Sequence, residues 1–169
     1  MKHYITIIIL FVPFLSYGQS LNFAKIKTSS IDSLRKFDKA NKIKHTYTIG
    51  VSEDYFPNRV KFVLEQPIIY GKKSGNFKNE ISFFYTKADS LVRLIEYEWE
   101  GDENAADSAY YEIVNKNKET ISKYFQSTPT EIPETETKAA KSIWENELVF
   151  VQQLIMPGLQ RIRILVSWK

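Results

Sequence analysis

Between residues 45 and 168 the chain switches between two hydrophobic periods. From Asn104 to Phe125 apolar residues recur at helical spacing: Ala106, Tyr110, Ile113, Val114, Ile121, Tyr124 and Phe125, with Asn117 as the one polar interruption. The other face carries Glu112, Lys116, Glu119 and Lys123, two acid-to-base pairs four residues apart. This predicts one long amphipathic helix. A helix with one apolar stripe must bury it, and strand patterns on either side offer the partner.

Those strands alternate with period two. His45–Val51, Arg59–Glu65, Ile81–Thr86 and Leu91–Glu100 precede the helix, with Ile68–Tyr70 as an edge piece or bulge after Pro67; Leu148–Ile155 and Gln160–Trp168 follow it. Val60, Phe62 and Leu64 are expected on a core face. Gly71–Asn76 reads as a polar turn, Ser127–Thr137 as an exposed loop and Lys138–Ser142 as a helical turn. Ser29–Lys42 reads as a short first helix, opened by Ser29 and Asp32 at capping-box spacing. The expected fold is therefore α+β: an antiparallel sheet of about six strands, the long helix on one face and a short N-terminal helix. An all-β barrel with a peripheral helix is the alternative.

The first eighteen residues have another pattern. Lys2 and His3 precede an apolar run, Ile5–Leu15, and Ser16 and Gly18 stand at the small-residue positions of a signal-peptidase site. The run is about eleven residues, short of the roughly 20 that span a bilayer. The expectation is a signal peptide over 1–18, one domain over 19–169 with no transmembrane segment, and an exported protein, periplasmic or secreted. The chain has no cysteine, so disulfides and thiol chemistry are excluded. A formal charge of +3 with Lys and Arg interleaved among Glu and Asp builds no basic face for nucleic acid.

Candidate chemistry is thin. His45 is the one histidine beyond the leader; it reads as a general base near Glu53 or Asp54, or as a surface residue at a strand start. Glu96, Glu98 and Glu100 share a strand face, roughly 7 Å apart. They read as an acid–base or calcium-binding row, or as the solvated side of a strand whose other side is Ile95, Tyr97 and Trp99. Gly71-Lys72-Lys73-Ser74-Gly75-Asn76 lacks the spacing of a phosphate-binding loop. No catalytic residue, metal site or cofactor is assigned.

Phe83, Phe84 and Tyr85 run consecutively, and Leu91, Val92 and Leu94 put apolar groups on both faces of the partner strand. Either the second face is covered, with the first helix the expected cover, or it binds a ligand through Phe84, Tyr85, Val92 and Leu94. The leading functional expectation is a small non-enzymatic binding or interaction domain of the cell envelope, its partner a protein, peptide or sugar. The alternative is a hydrolase with paired carboxylates, Glu96 with Glu98 or Glu53 with Asp54. Arg161 and Arg163 stand opposite Ile162 and Ile164 just as Glu96 and Glu98 stand opposite Ile95 and Tyr97. If both apolar sets meet the helix, acids and arginines emerge on one outer face, and their strands are expected to lie close.

Overall fold

The structure, a computed structural model, describes residues 41–44, 49–136 and 138–169. Its centre is one antiparallel sheet of eight strands: β1 (Lys42–Ile43), β2 (Ile68–Ser74), β3 (Phe77–Tyr85), β4 (Val92–Gly101), β5 (Thr130–Ile132), β6 (Ala140–Glu145), β7 (Val149–Met156) and β8 (Arg161–Trp168). The spatial order is β1-β2-β3-β4-β8-β7-β6-β5. Two four-strand meanders thus meet at β4 and β8, and α1 (Asp107–Phe125) crosses one face from the centre to the β5 edge.

This overturns the expected six strands with a long and a short helix. Among the described residues α1 is the one α-helix. The proposed first helix lies largely outside the described residues, and its last residue, Lys42, is in β1. Each missed strand has a physical reason. Gly71 does not turn the chain; β2 runs through it. A Cβ there would stand 2.6 Å from Ile43 Cδ1 and 3.3 Å from Asn79 O, so a side chain at this position would have to displace the Ile43 methyl. The turn is Gly75-Asn76 alone, with Gly75 at φ 58°. Ala140–Glu145 is a strand because Ser142 and Trp144 both point inward at a spacing of two. Thr130–Ile132 is a short, wholly exposed edge strand bracketed by Pro129 and Pro133, an edge composition that resembles a loop.

Arg59–Glu65 errs the other way. Its alternation is not used by a strand: the segment is a run of turns with a single bridge, Leu64 to Thr86. Val60 is 85% exposed. The His45–Val51 strand lies partly outside the described residues, and its end at Ile49–Val51 is irregular.

The helix stripe is as read in its middle but not at its ends: Ala106 is the exposed N-cap and Tyr124 is exposed. Tyr110, Val114, Asn117 and Ile121 are buried, Ile113 is half-buried, and Glu112, Lys116, Glu119 and Lys123 face solvent. The main core lies between α1 and the sheet, with Tyr97, Trp99, Ile95, Phe83, Trp144, Ile162, Ile164 and Val166. Three side-chain hydrogen bonds pin the helix to the sheet. Tyr110 Oη donates to Arg161 O at 3.2 Å, Trp144 Nε1 to Ser122 Oγ at 3.1 Å, and the buried Gln153 Nε2 to Val114 O at 3.1 Å. The helix opens without a side-chain cap, with Ala106 at the N-cap position.

Ile121 has no exposed surface, so Ile121→Ala should cost about 2–5 kcal/mol in denaturant melts. Glu112→Ala, on the exposed face, should stay within about 0.5 kcal/mol in the same melts.

Candidate functional site

The face of the sheet turned away from α1 divides into three zones. One end is covered. Segment 49–64 folds back over β4, β8 and β7, and packs Phe56, with Ile49, Val51, Tyr55, Phe62 and Leu64, onto Phe84, Leu94, Leu154 and Leu165. Gln152 Nε2 donates to Asp54 O at 3.0 Å and Asn58 Nδ2 to Trp168 O at 3.2 Å, fixing the cover in place. The Arg93 guanidinium lies 4.4 Å from the centre of the Phe62 ring, a cation held against an aromatic face.

The proposed ligand residues are therefore placed as follows. Phe84 and Leu94 are sealed beneath Phe56, Val92 lies in the helix-side core, and Tyr85 is half-buried against that core. A register shift between Phe84 and Tyr85 accounts for the split of Val92 and Leu94 between faces. The four do not share a surface. The apolar surplus on this hairpin reported a cover, made by segment 49–64.

The middle zone is a ladder of charge. β4 and β8, expected to lie close, are adjacent, with Glu98 opposite Arg163 and Glu100 opposite Arg161. Arg163 Nε lies 3.3 Å from Glu96 Oε1 and also bonds Glu98 Oε2. Arg161 bonds Glu100 and approaches Glu98 Oε1 at 3.7 Å. Each arginine is thus shared by two carboxylates. Burial raises the pKa of Glu96 above the ordinary carboxylate value, and Arg163 only partly offsets it. Burial also opposes the charge on Arg163, but Glu96 and Glu98 outweigh it and hold its pKa above the ordinary value.

The third zone is open. A cleft of about 520 Å³ lies at the far end of β2, β3 and β4, lined by Ile43, Gly71, Lys72, Lys73, Asn76, Lys78, Glu100, Gly101 and Asp102. Its wall is braced. Asp102 N donates to Asn76 O at 2.9 Å and Asn76 Nδ2 to Asn104 O at 2.8 Å, tying the β2–β3 turn to the chain leaving β4. Lys73 bonds Asp102 at 2.8 Å and Lys78 bonds Glu80 at 2.9 Å. The hydrogen bond from Lys73 lowers the pKa of Asp102, and the hydrogen bond to Glu80 raises that of Lys78.

Glu53 and Asp54 are exposed on the covering segment, and His45 lies outside the described residues. Among the described residues no group of three or more His, Cys, Asp or Glu is placed to hold a metal ion, and no helix is long and apolar enough to cross a membrane. The cleft was missed in the sequence because its parts are scattered over four segments. The one local signal, lysines between two glycines, read as a turn. A scan against protein-family models finds no match, and neither do searches of curated proteins and of solved structures.

Two measurements check the ladder. Because Glu98 and Arg163 face each other across β4 and β8, a double-mutant cycle with alanine at both should give a coupling on the order of 1 kcal/mol. Glu96→Gln tests the buried carboxylate. A folded-state pKa above the unfolded one favours the protonated form, so the charge of Glu96 costs stability above the folded pKa, and that cost disappears as pH falls below the unfolded value. Urea melts should therefore show Glu96→Gln gaining on the parent at pH near 7 relative to pH near 4.

Proposed function

We propose that this chain is a small exported, non-enzymatic binding domain of the cell envelope, and that it engages its partner through the open end of the outer sheet face. The observation that carries the reading is the division of that face. One end is sealed by an aromatic lid, the middle is a charge ladder satisfied by its own ion pairs, and the remaining end is a braced cleft with charged walls. A preorganised, partly polar concavity beside exposed strand is what recognition of a partner uses.

The arrangement does not favour a hydrolase. General acid–base catalysis places two carboxylates in a concavity facing the substrate. Glu96 and Glu98 instead share Arg163 on a sheet face, and the cleft reaches Glu100 and Asp102. Export rests on the leader pattern of residues 1–18.

Site-specific photo-crosslinking in the native host tests the binding reading. A crosslinker at Lys78 in the cleft should trap one discrete partner, while one at Glu119 on the exposed face of α1 should trap none; equal yields from both positions would overturn the reading. Mass spectrometry of the exported protein should show a chain beginning at Gln19. An intact Met1 would remove the export element.

A further inference from the structure

We propose that turn 58–63 docks the protein on an anionic lipid surface, with Val60 and Val63 seated between the headgroups and Arg59 and Lys61 on the lipid phosphates. The turn lies outside the cleft, so this contact is additional to the partner proposed above and does not depend on it.

The first observation is exposure. The alternation of Val60, Phe62 and Leu64 marks all three for a core, yet only Phe62 and Leu64 enter one. Val60 and Val63 are each 85% exposed, more than any other large hydrophobic side chain among the described residues. Apolar residues exposed singly are ordinary. Here two of them stand three residues apart on one turn, and the turn is braced. The N–H groups of Lys61 and Phe62 both donate to Asn58 O, at 2.9 and 3.1 Å, and Asn58 Nδ2 donates to Trp168 O at 3.2 Å. Phe62 points inward, stacked on Phe56 and against the Arg93 guanidinium. Its neighbours Arg59, Val60, Lys61 and Val63 are all exposed. The backbone thus holds two valines out in solvent between two cations.

The second observation is charge. The turn contains Arg59 and Lys61 and no acid. Neither cation is in an ion pair among the described residues. Leu64 bridges to Thr86, which brings up the β3–β4 turn with Lys87 exposed and Asp89 held by Arg93. On the other side Trp168 leads to Lys169, which holds Glu145 and whose N–H donates to the carbonyl of Leu148, itself an exposed aliphatic residue. The acids at this end outside any described ion pair are Glu65, half-buried, and Glu147, exposed. Arg59, Lys61 and Lys87 stand against them. Glu53 and Asp54 lie farther along the lid, where the Asp54 carbonyl meets Gln152.

Shape separates a lipid surface from a protein partner. Protein interfaces centre on aromatic anchors seated in pockets. This turn exposes aliphatic and basic side chains on a protruding tip, and its one aromatic ring is turned inward. The headgroup region of a bilayer takes up such a tip without matching its shape, and anionic lipid adds attraction for each lysine or arginine near it.

The test is flotation of the exported protein with vesicles, one set of phosphatidylcholine alone and one of equal parts phosphatidylcholine and phosphatidylglycerol. The protein should float with the anionic set, come off as salt is added, and stay behind with the neutral set. Val60→Ser with Val63→Ser removes apolar surface at constant charge and should weaken binding at least about tenfold. Arg59→Gln with Lys61→Gln should weaken it to a similar extent. Lys116→Gln with Lys123→Gln removes the same charge from the exposed face of α1 and should leave binding unchanged. All six side chains are exposed, and thermal melts should show each variant folded. Val60→Trp adds a reporter to a chain whose own Trp99, Trp144 and Trp168 are buried. Its emission should shift to the blue on anionic vesicles and be quenched by brominated acyl chains. Absence of binding to the anionic vesicles overturns the proposal. So does binding that survives the serine pair, which is charge attraction alone, or binding lost equally in the α1 pair. If the vesicles are ignored and a crosslinker at Val63 traps one protein, the turn belongs to a protein interface instead. None of these outcomes changes the result at Lys78, which tests the cleft.

Discussion

The pairing of β4 with β8 is the constraint on which the molecule rests. Every other strand pair joins neighbours along the chain, and four of them close through short turns. β4 and β8 are joined across a long separation, with Leu94 opposite Ser167 at one end and Glu100 opposite Arg161 at the other. Closing that loop costs chain entropy that no local turn repays. The return comes from both faces at once. Tyr97, Trp99, Ile162 and Ile164 meet α1 on one side, while the carboxylates and guanidiniums meet each other on the other.

The same pairing explains why the outer face has its three zones. β4 and β8 lie at the centre of the sheet, so the ladder they form divides the aromatic lid from the cleft. Surface ion pairs contribute little singly. Here the Glu98 side chain is 14% exposed and touches two arginines, so the ladder is a network rather than a set of isolated pairs. Under the helix the polar content is sparser. Gln153 donates to the carbonyl of Val114, while its own Oε1 and the Nδ2 of Asn117 are buried without partners among the described residues, a polar flaw beneath an otherwise apolar stripe.

The shared outer face of β4 and β8 was legible in the sequence from parity: once two strands share a helix-facing side, their other sides share solvent. Their direct pairing was not, since parity leaves strand order open and only the opposite charges pointed to closeness. The middle of the α1 stripe was legible, since periodicity needs only local residues. The outer strands were not. β1 has two residues, β5 has three between prolines, and β2 passes through a glycine that reads as a turn signal. Conversely, Val60, Phe62 and Leu64 alternate as a strand does, yet only Phe62 and Leu64 serve the folded-back lid, where Phe62 stacks on Phe56 at 6.3 Å, while Val60 is exposed. Alternation alone does not say whether the backbone finds a ladder. Phe84 and Leu94 misled in a related way, since apolar residues on both faces of a strand indicate two coverings as readily as one covering and one opening.

The segregation of charge between the two central strands has a consequence for assembly. Before the halves join, each meander presents a bare central edge, the exposure that leads unfinished β proteins into wrong partnerships. The β4 edge carries Glu96, Glu98 and Glu100, and the β8 edge carries Arg161 and Arg163. Two β4 edges from different molecules would set acid against acid, and two β8 edges would set arginine against arginine. Only the unlike pair is attractive, and within one chain that pair is tethered. The charges that look like surface decoration in the finished fold thus act as a sorting rule during folding, steering each half toward its complement and away from its own kind.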